Sequence, residues 1–329
     1  MNEKKFVEYL EDNFGFRFGK GIGDDTSVVK TGDDYQLITK DILIENIHFS
    51  LDYFSLEELA QRALAVNLSD IAAMGGKAGY FYLGLGYPQR MGESHVFDFF
   101  KGLKKGCDQW QVELAGGDFS ASSDMFISIT MVGRAKNPVY RSGAQKDDLV
   151  GITGITGESY IGLKLLQGTA PPPHEGTGNP IPNRIDEKAI IKKHKTVTPE
   201  MKKAPLLAKY VNAMIDVSDG LLIDLSRILA ASKKGAKLFY EKIPVTQNMK
   251  QVCANYGIDE YEAVLSGGED FVLLFTISPG KESELKKIAQ PSDYHIIGEI
   301  TGEENKIIVT HDNNVIDPKG FGYDHFQRK

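Results

Sequence analysis

Two neighbouring stretches near the N-terminus constrain the fold most. Gly21-Ile22-Gly23-Asp24-Asp25-Thr26-Ser27-Val28-Val29 and Leu37-Ile38-Thr39-Lys40-Asp41-Ile42-Leu43-Ile44-Glu45-Asn46-Ile47-His48-Phe49 each read as a β-strand carrying carboxylates. The polar Thr31-Gly32-Asp33-Asp34 between them reads as a turn. Closing this hairpin brings Asp25 and Asp41 close together. Like charges side by side destabilise a sheet unless something positive sits between them. A divalent cation would serve; a solvated acidic turn accounts equally for the hairpin taken alone.

The rest of the chain narrows the choice. Its 329 residues suggest about two domains with ample core. The formal charge of −7 argues against nucleic acid as the main partner. It does not forbid an anionic substrate, because bound magnesium would reverse the local field. Cys107 and Cys253 stand in no metal-ligand spacing and make no disulfide framework. No apolar run reaches membrane-spanning length, and no signal-peptide core follows Met1-Asn2-Glu3-Lys4-Lys5. The expectation is a cytoplasmic protein with no membrane partner.

An amphipathic helix is expected over 3–12. Ser55-Leu56-Glu57-Glu58 has the form of a capping box, opening a helix that runs to about Met74 and stops at Gly75-Gly76. Its second half is apolar nearly all round, so Asn67 and Asp70 share a face inside the protein. A buried Asp needs a backbone amide, an arginine or a metal. A strand is expected over 80–87 and a helix over 93–110, with Phe97, Phe100, Leu103, Cys107 and Trp110 forming its core stripe. Gln111–Ala115 reads as a strand, after which Gly116-Gly117 turns the chain and leaves Asp118 at the strand end. After a strand over 125–133, the first domain ends near Pro138.

In the second domain, the strand 148–153, Gly154-Ile155-Thr156-Gly157 and the helix 158–167 form a strand–loop–helix unit. It suggests a phosphate contact at a helix N-terminus but lacks the Gly-Lys-Ser/Thr of a P-loop. The Pro/Gly-rich 168–184 is a lid or excursion, with the lone loop histidine His174 more often solvated than catalytic. Lysines 192, 193, 195, 202 and 203 mark exposed helix faces. A short strand ends in Asp216, Ser218 can cap the following helix, and Asp219 suits that helix's dipole or a metal. Ser266-Gly267-Gly268-Glu269-Asp270 is a second double-glycine turn bearing acids, and strands follow at 271–277, 294–300 and 306–310.

Asp25, Asp41, Asp70, Asp118, Asp216 and Asp219 therefore fall at element ends without matching Cys or His clusters. Such all-oxygen sets suit magnesium or manganese, and carboxylate-held magnesium usually accompanies a polyphosphate. In phosphoryl transfer the protein mainly positions groups and neutralises charge, so no enzyme nucleophile is required. The sequence offers no nucleophile elbow.

Six segments, in order, resemble the thiamine-monophosphate kinase family. They are Gly23-Asp24-Asp25, Asp41 with Glu45–Phe49, Asn67–Gly75, Gly116-Gly117-Asp118, Asp216–Leu221 and Ser266–Asp270. The wider superfamily includes aminoimidazole ribonucleotide synthetase, selenophosphate synthetase and the hydrogenase maturation dehydratase. The resemblance implies an α/β (α+β) fold of two domains, 1–138 and 139–329. The first is a mixed sheet with helices that pairs with its twin across a homodimer; the second is an α/β sandwich. It implies transfer of the ATP γ-phosphate to thiamine monophosphate, with several Mg2+ ions held by Asp25, Thr39, Asp41, Asp70, Asp118, Asp216 and Asp219. Gly117, Asp118, Arg141 and Ser218 would contact ATP, and His48, Glu269 and Phe321 the thiamine. Lys40 stands where the family usually has Thr or Ser, and Phe100 where it can have a tyrosine. Two other readings remain at this point: another ATP-dependent kinase or synthetase of the superfamily, and a non-catalytic nucleotide- or thiamine-binding regulator.

Overall fold

The computed structural model describes residues 3–170, 185–290 and 292–316. Along the chain run α1 (Glu3–Asn13), β1 (Gly19–Lys20), β2 (Ser27–Thr31), β3 (Asp34–Ile44), α2 (Leu56–Ala73), β4 (Lys77–Pro88), α3 (Glu93–Trp110), β5 (Glu113–Ser122) and β6 (Phe126–Ala135). They are followed by β7 (Leu149–Ile152), α4 (Glu158–Leu166), α5 (Glu187–Lys195), α6 (Ala204–Leu207), β8 (Ala213–Asp216), α7 (Leu221–Ser232) and β9 (Gly235–Phe239). The chain then forms α8 (Gln247–Tyr256), α9 (Glu260–Ser266), β10 (Leu273–Ile277), α10 (Pro279–Leu285), β11 (His295–Thr301), β12 (Ile307–His311) and β13 (Asn314–Ile316). Two compact units divide it: 2–140 with 195–209, and 141–194 with 210–329. No helix among the described residues is long and apolar enough to cross a membrane.

The first unit is a mixed sheet in the order β1-β2-β3-β6-β4-β5. The β4–β5 pair is parallel and the others are antiparallel. Lateral pairing sorts the side chains into two faces. Leu37, Leu43, Phe81, Leu83, Leu85, Ile127, Ile129 and Met131 lie buried on the face against α2. The opposite face carries Lys40, Ile42, Tyr80 and Tyr82, all exposed. The expected capping box opens α2: the Ser55 hydroxyl accepts from the Glu58 amide at 3.3 Å, and the Glu58 carboxylate accepts from the Ser55 amide at 2.9 Å. Contacts with β3, β4, β6, α3 and α6 bury this helix nearly all round.

Two expectations are corrected here. The fully buried face of α3 is Phe99, Gly102, Leu103 and Gly106; Phe100, Cys107 and Trp110 pack against the core half-buried as expected, while Phe97 is 64% exposed. The reason is close helix packing: a Cβ at Gly102 would lie 2.3 Å from the Glu57 carbonyl oxygen, so the glycine face turns to α2 and Phe97 swings outward. The Gly116-Gly117 pair makes no turn. β5 continues through it to Ser122, leaving Asp118 inside the strand. Gly117, at φ +153°, is required because a Cβ there would meet the Leu83 carbonyl oxygen of β4 at 1.8 Å.

The second unit is built on a sheet in the order β13-β12-β9-β11-β7-β10-β8, with β9–β12 parallel and the other pairs antiparallel. Its core joins Val150, Ile152, Ile215 and Leu238 from the strands to Ile161, Leu225, Val252 and Val264 from the helices. Both units thus have the expected α/β character.

Candidate active site

In the first unit the site grows out of an interruption. Thr39 and Asp41 fall on the α2-facing side of β3, in a stripe that is otherwise apolar. The polar residues of α2 meet them. The Thr39 hydroxyl donates to Asp70 Oδ2, and the Asp41 amide donates to Asn67 Oδ1 at 3.2 Å. Asn67 is completed by the Ala63 carbonyl at 3.0 Å, so it is a structural link between helix and strand. Asp25 is buried just before β2, and its carboxylate and that of Asp70 present oxygens within 4.8 Å of each other. Neighbouring Asp24 is ion-paired to Lys20. A hollow of about 430 Å³ is lined by Asp25, Thr26, Thr39 and Lys40, with Phe14 and Phe16 adding apolar wall. Two carboxylates at this separation repel in low dielectric and favour a bound cation.

His48 follows β3 in a tight loop. Its Nδ1 accepts from the Ile44 amide at 3.0 Å, so the neutral ring carries its proton on Nε2. Gly117 and Asp118 lie on β5, an edge strand, with β3, β6 and β4 between it and β2. Asp118 Oδ1 accepts from the Phe119 amide at 2.9 Å.

In the second unit the chain after β8 makes a loop of its own. Ser218 does not cap α7: the N-cap is Gly220, with no side-chain cap bond. Asp224, from the first turn of α7, reaches back instead and accepts from the amides of Ser218, Asp219 and Gly220 at 3.0, 3.0 and 3.1 Å. The shape of the loop follows, because one carboxylate satisfies three donors that a serine hydroxyl could not. Arg227 pairs with Asp224 and, through Nη2, with Asp219 at 2.6 Å. Burial pushes the Asp224 carboxyl up, against the pull of Arg227 and the amides. Asp216 is buried at the end of β8, and the Arg141 carbonyl accepts from the Ser232 hydroxyl at 3.4 Å.

The acidic double-glycine turn docks directly on this loop. The Glu269 amide donates to the Ser218 carbonyl at 2.6 Å, and the Phe271 amide to that of Val217 at 2.8 Å. Asp270 caps α4, accepting from the Gly157 and Ser159 amides at 2.6 and 3.1 Å. Part of Asp270 reaches the surface, but its carboxyl is hemmed in. Burial pushes it up to about 7, against the two amides and with the added charges of Glu158 and Glu269. The N-terminus of α4, suggested above as a phosphate contact, is thus occupied by the chain's own carboxylate. Within this unit Ser218, Asp219 and Glu269 are brought together; Phe321, His174 and most of the 168–184 stretch lie outside the described residues. Asp224 and Arg227 were not singled out from the sequence; the available signal was an acid in the first turn after a glycine, with an arginine three residues on.

The first family model to match is AIR synthase related protein, N-terminal domain, over residues 23–135; its C-terminal counterpart matches over 175–311. The thiamine-monophosphate kinase of Aquifex aeolicus is 34% identical over 257 residues, 78% of this chain and 80% of that one. That of Buchnera aphidicola subsp. Schizaphis graminum is 36% identical over 93% of this chain and 92% of its own length. The solved structure of AaThiL complexed with AMPPCP and TMP aligns with a TM-score of 0.84 at 30% identity, covering 99% of this chain and 97% of that one. With both domains matched in order and relatives alike over most of their length, this chain belongs to the thiamine-monophosphate kinase family.

Proposed function

We propose that this protein transfers the γ-phosphate of ATP directly to thiamine monophosphate, giving thiamine diphosphate. The observation that carries the reading is the alignment, over nearly the whole of both chains, with a structure complexed with an ATP analogue and TMP. The donor set agrees with it. Asp25 and Asp70 present carboxylate oxygens within 4.8 Å, and Thr39 adds a hydroxyl bonded to Asp70, an all-oxygen group suited to magnesium. Bound there, magnesium would neutralise phosphate charge and orient the triphosphate. Asp41 and Asp118 of the first unit, with Asp216 and Asp219 of the second, are the further ligands of the proposal.

Each remaining described residue has a role that its surroundings permit. Arg227 keeps Asp219 in one orientation, and Arg141 offers a guanidinium fork for phosphate oxygens. Gly117, Asp118 and Ser218 are assigned to ATP. His48, whose Nε2–H is directed by the bond at Nδ1, and Glu269 are assigned to the thiamine, with Phe321 stacking on a ring. No nucleophile activated by a base enters the scheme, so transfer proceeds without a phosphoenzyme. The proposal includes a homodimer formed through the open face of the first sheet, and a cytoplasmic setting.

The test is incubation with ATP, magnesium and thiamine monophosphate, with chromatography for thiamine diphosphate. Formation of the product in single-displacement kinetics is expected. Ping-pong kinetics or a trapped phosphoprotein would overturn the direct route, and absence of product would overturn the substrate assignment.

A further inference from the structure

The carboxylate assigned to the thiamine is gripped by a residue the reaction does not otherwise use. Glu269 has φ +66°, a left-handed conformation uncommon for a glutamate. It persists because the turn is pinned at Ser218, at Val217 and, through Asp270, at the start of α4. The backbone therefore has one place to be, while the side chain still has three torsions to fix. His194, near the end of α5, supplies a constraint on it. Its Nδ1 lies 3.3 Å from Glu269 Oε2 and 3.2 Å from Ser159 Oγ. The ring is 1% exposed, whereas the Glu269 side chain keeps 32%. A ring nitrogen facing a carboxylate oxygen carries its proton, since a lone pair there would meet another lone pair. The imidazole thus donates from Nδ1 to Oε2 beside the Ser159 hydroxyl, and the outer part of the glutamate remains accessible.

We infer that His194 is a positioning residue for substrate recognition, resting on the thiamine-monophosphate reading above. It locks the Glu269 rotamer so that the carboxylate meets a cationic heteroaromatic ring in one pose. A carboxylate held in place before binding loses little side-chain freedom when the ligand arrives. The effect belongs to affinity for the acceptor substrate and leaves affinity for ATP unchanged.

The experiment measures calorimetric binding of thiamine monophosphate, and KM for both substrates, in the wild type and in His194→Leu, His194→Asn and His194→Gln. An Asn amide can place its NH2 near the position of Nδ1, whereas a Gln amide reaches toward that of Nε2. Leu and Gln are expected to weaken thiamine monophosphate binding on the order of tenfold, the scale of one hydrogen bond to a charged group. Asn should restore it to within about threefold, and KM for ATP should not move. Should His194→Leu fail to fold, the split between Asn and Gln decides, because a merely structural histidine does not predict it. Equal binding by wild type and Gln, or parallel losses for both substrates, overturns the inference alone. A wild type that neither binds nor phosphorylates thiamine monophosphate removes the functional reading, and the inference falls with it.

Discussion

Thr39 and Asp41 occupy positions that the sheet would otherwise fill with apolar side chains, and each meets α2 by a polar bond. Burying the Thr39 hydroxyl is unfavourable unless it is paired, and Asp70 pairs it; at half-buried Asp41 it is the backbone amide, not the carboxylate, that Asn67 satisfies. Asn67 ends its reach on the Ala63 and Asp41 backbones, a structural role. Asp70 shares its neighbourhood with Asp25, another carboxylate, and its role in the proposed scheme is that of a metal ligand. Asp70→Asn removes charge but keeps an acceptor for Thr39. It should abolish most kinase activity and leave the metal-free protein as stable as the wild type or more so. Magnesium at a hundred times its dissociation constant stabilises a folded state by about 2.7 kcal/mol, and this increment should shrink in the variant. Melting curves in EDTA and in magnesium separate the roles: a lower melting point in EDTA with an intact magnesium response would make Asp70 structural.

At the scale of elements, the informative cases are those where a neighbour decides. The hairpin of β2 and β3 and the capping box of α2 were legible because each rests on local alternation or local capping; the order of strand, loop and α4 was legible too, but its cap, Asp270, comes from far along the chain. The face of α3 was not, because two glycines permit a close approach to α2 that periodicity cannot register. Gly102→Ala should accordingly destabilise the first unit by roughly 1–3 kcal/mol, read by chemical denaturation; an unchanged midpoint would place the contact elsewhere. The loop before α7 departs from local expectation for a related reason: Ser218 has the right residue type for a cap, but the Asp224 carboxyl takes the three amides instead. Asp270 offers an element-level test through pH. Its carboxyl, raised to about 7, holds a proton in the folded state that an unfolded Asp releases near 4. The folded state then binds more protons across that interval, so this contribution to stability is full below about 4 and is lost as pH rises to about 7. Asp270→Asn, which cannot titrate, should flatten the slope of unfolding free energy over that window, at the expense of one acceptor for α4. A slope that persists unchanged would assign the titration to another group.

For the whole molecule, the sequence carried the two α/β units and the six acidic segments. It said nothing of the return of 195–209 to the first unit, where Lys195 pairs with Glu58 at 2.8 Å. Nor did it single out His194, a histidine within a lysine-rich run whose only distinction is its surroundings. The open face of the first sheet raises the remaining question of assembly. Ile38, Lys40, Ile42, Tyr80, Tyr82, Thr130 and Val132 share that face by register, with Ile42 41% and Tyr82 46% exposed. An antiparallel sheet can leave one face to water, but such faces normally alternate apolar-in with polar-out. Here isoleucines and tyrosines stand where charges would be expected, which favours a covering partner. The proposed homodimer supplies one without requiring any other protein. The double variant Ile42→Glu, Tyr82→Glu places like charges from both copies against each other across that face. It should sediment as a monomer while retaining the circular dichroism of the wild type, because neither side chain points toward α2. If the wild type itself sediments as a monomer at micromolar concentration, or the double variant stays dimeric, this face is not where two copies meet.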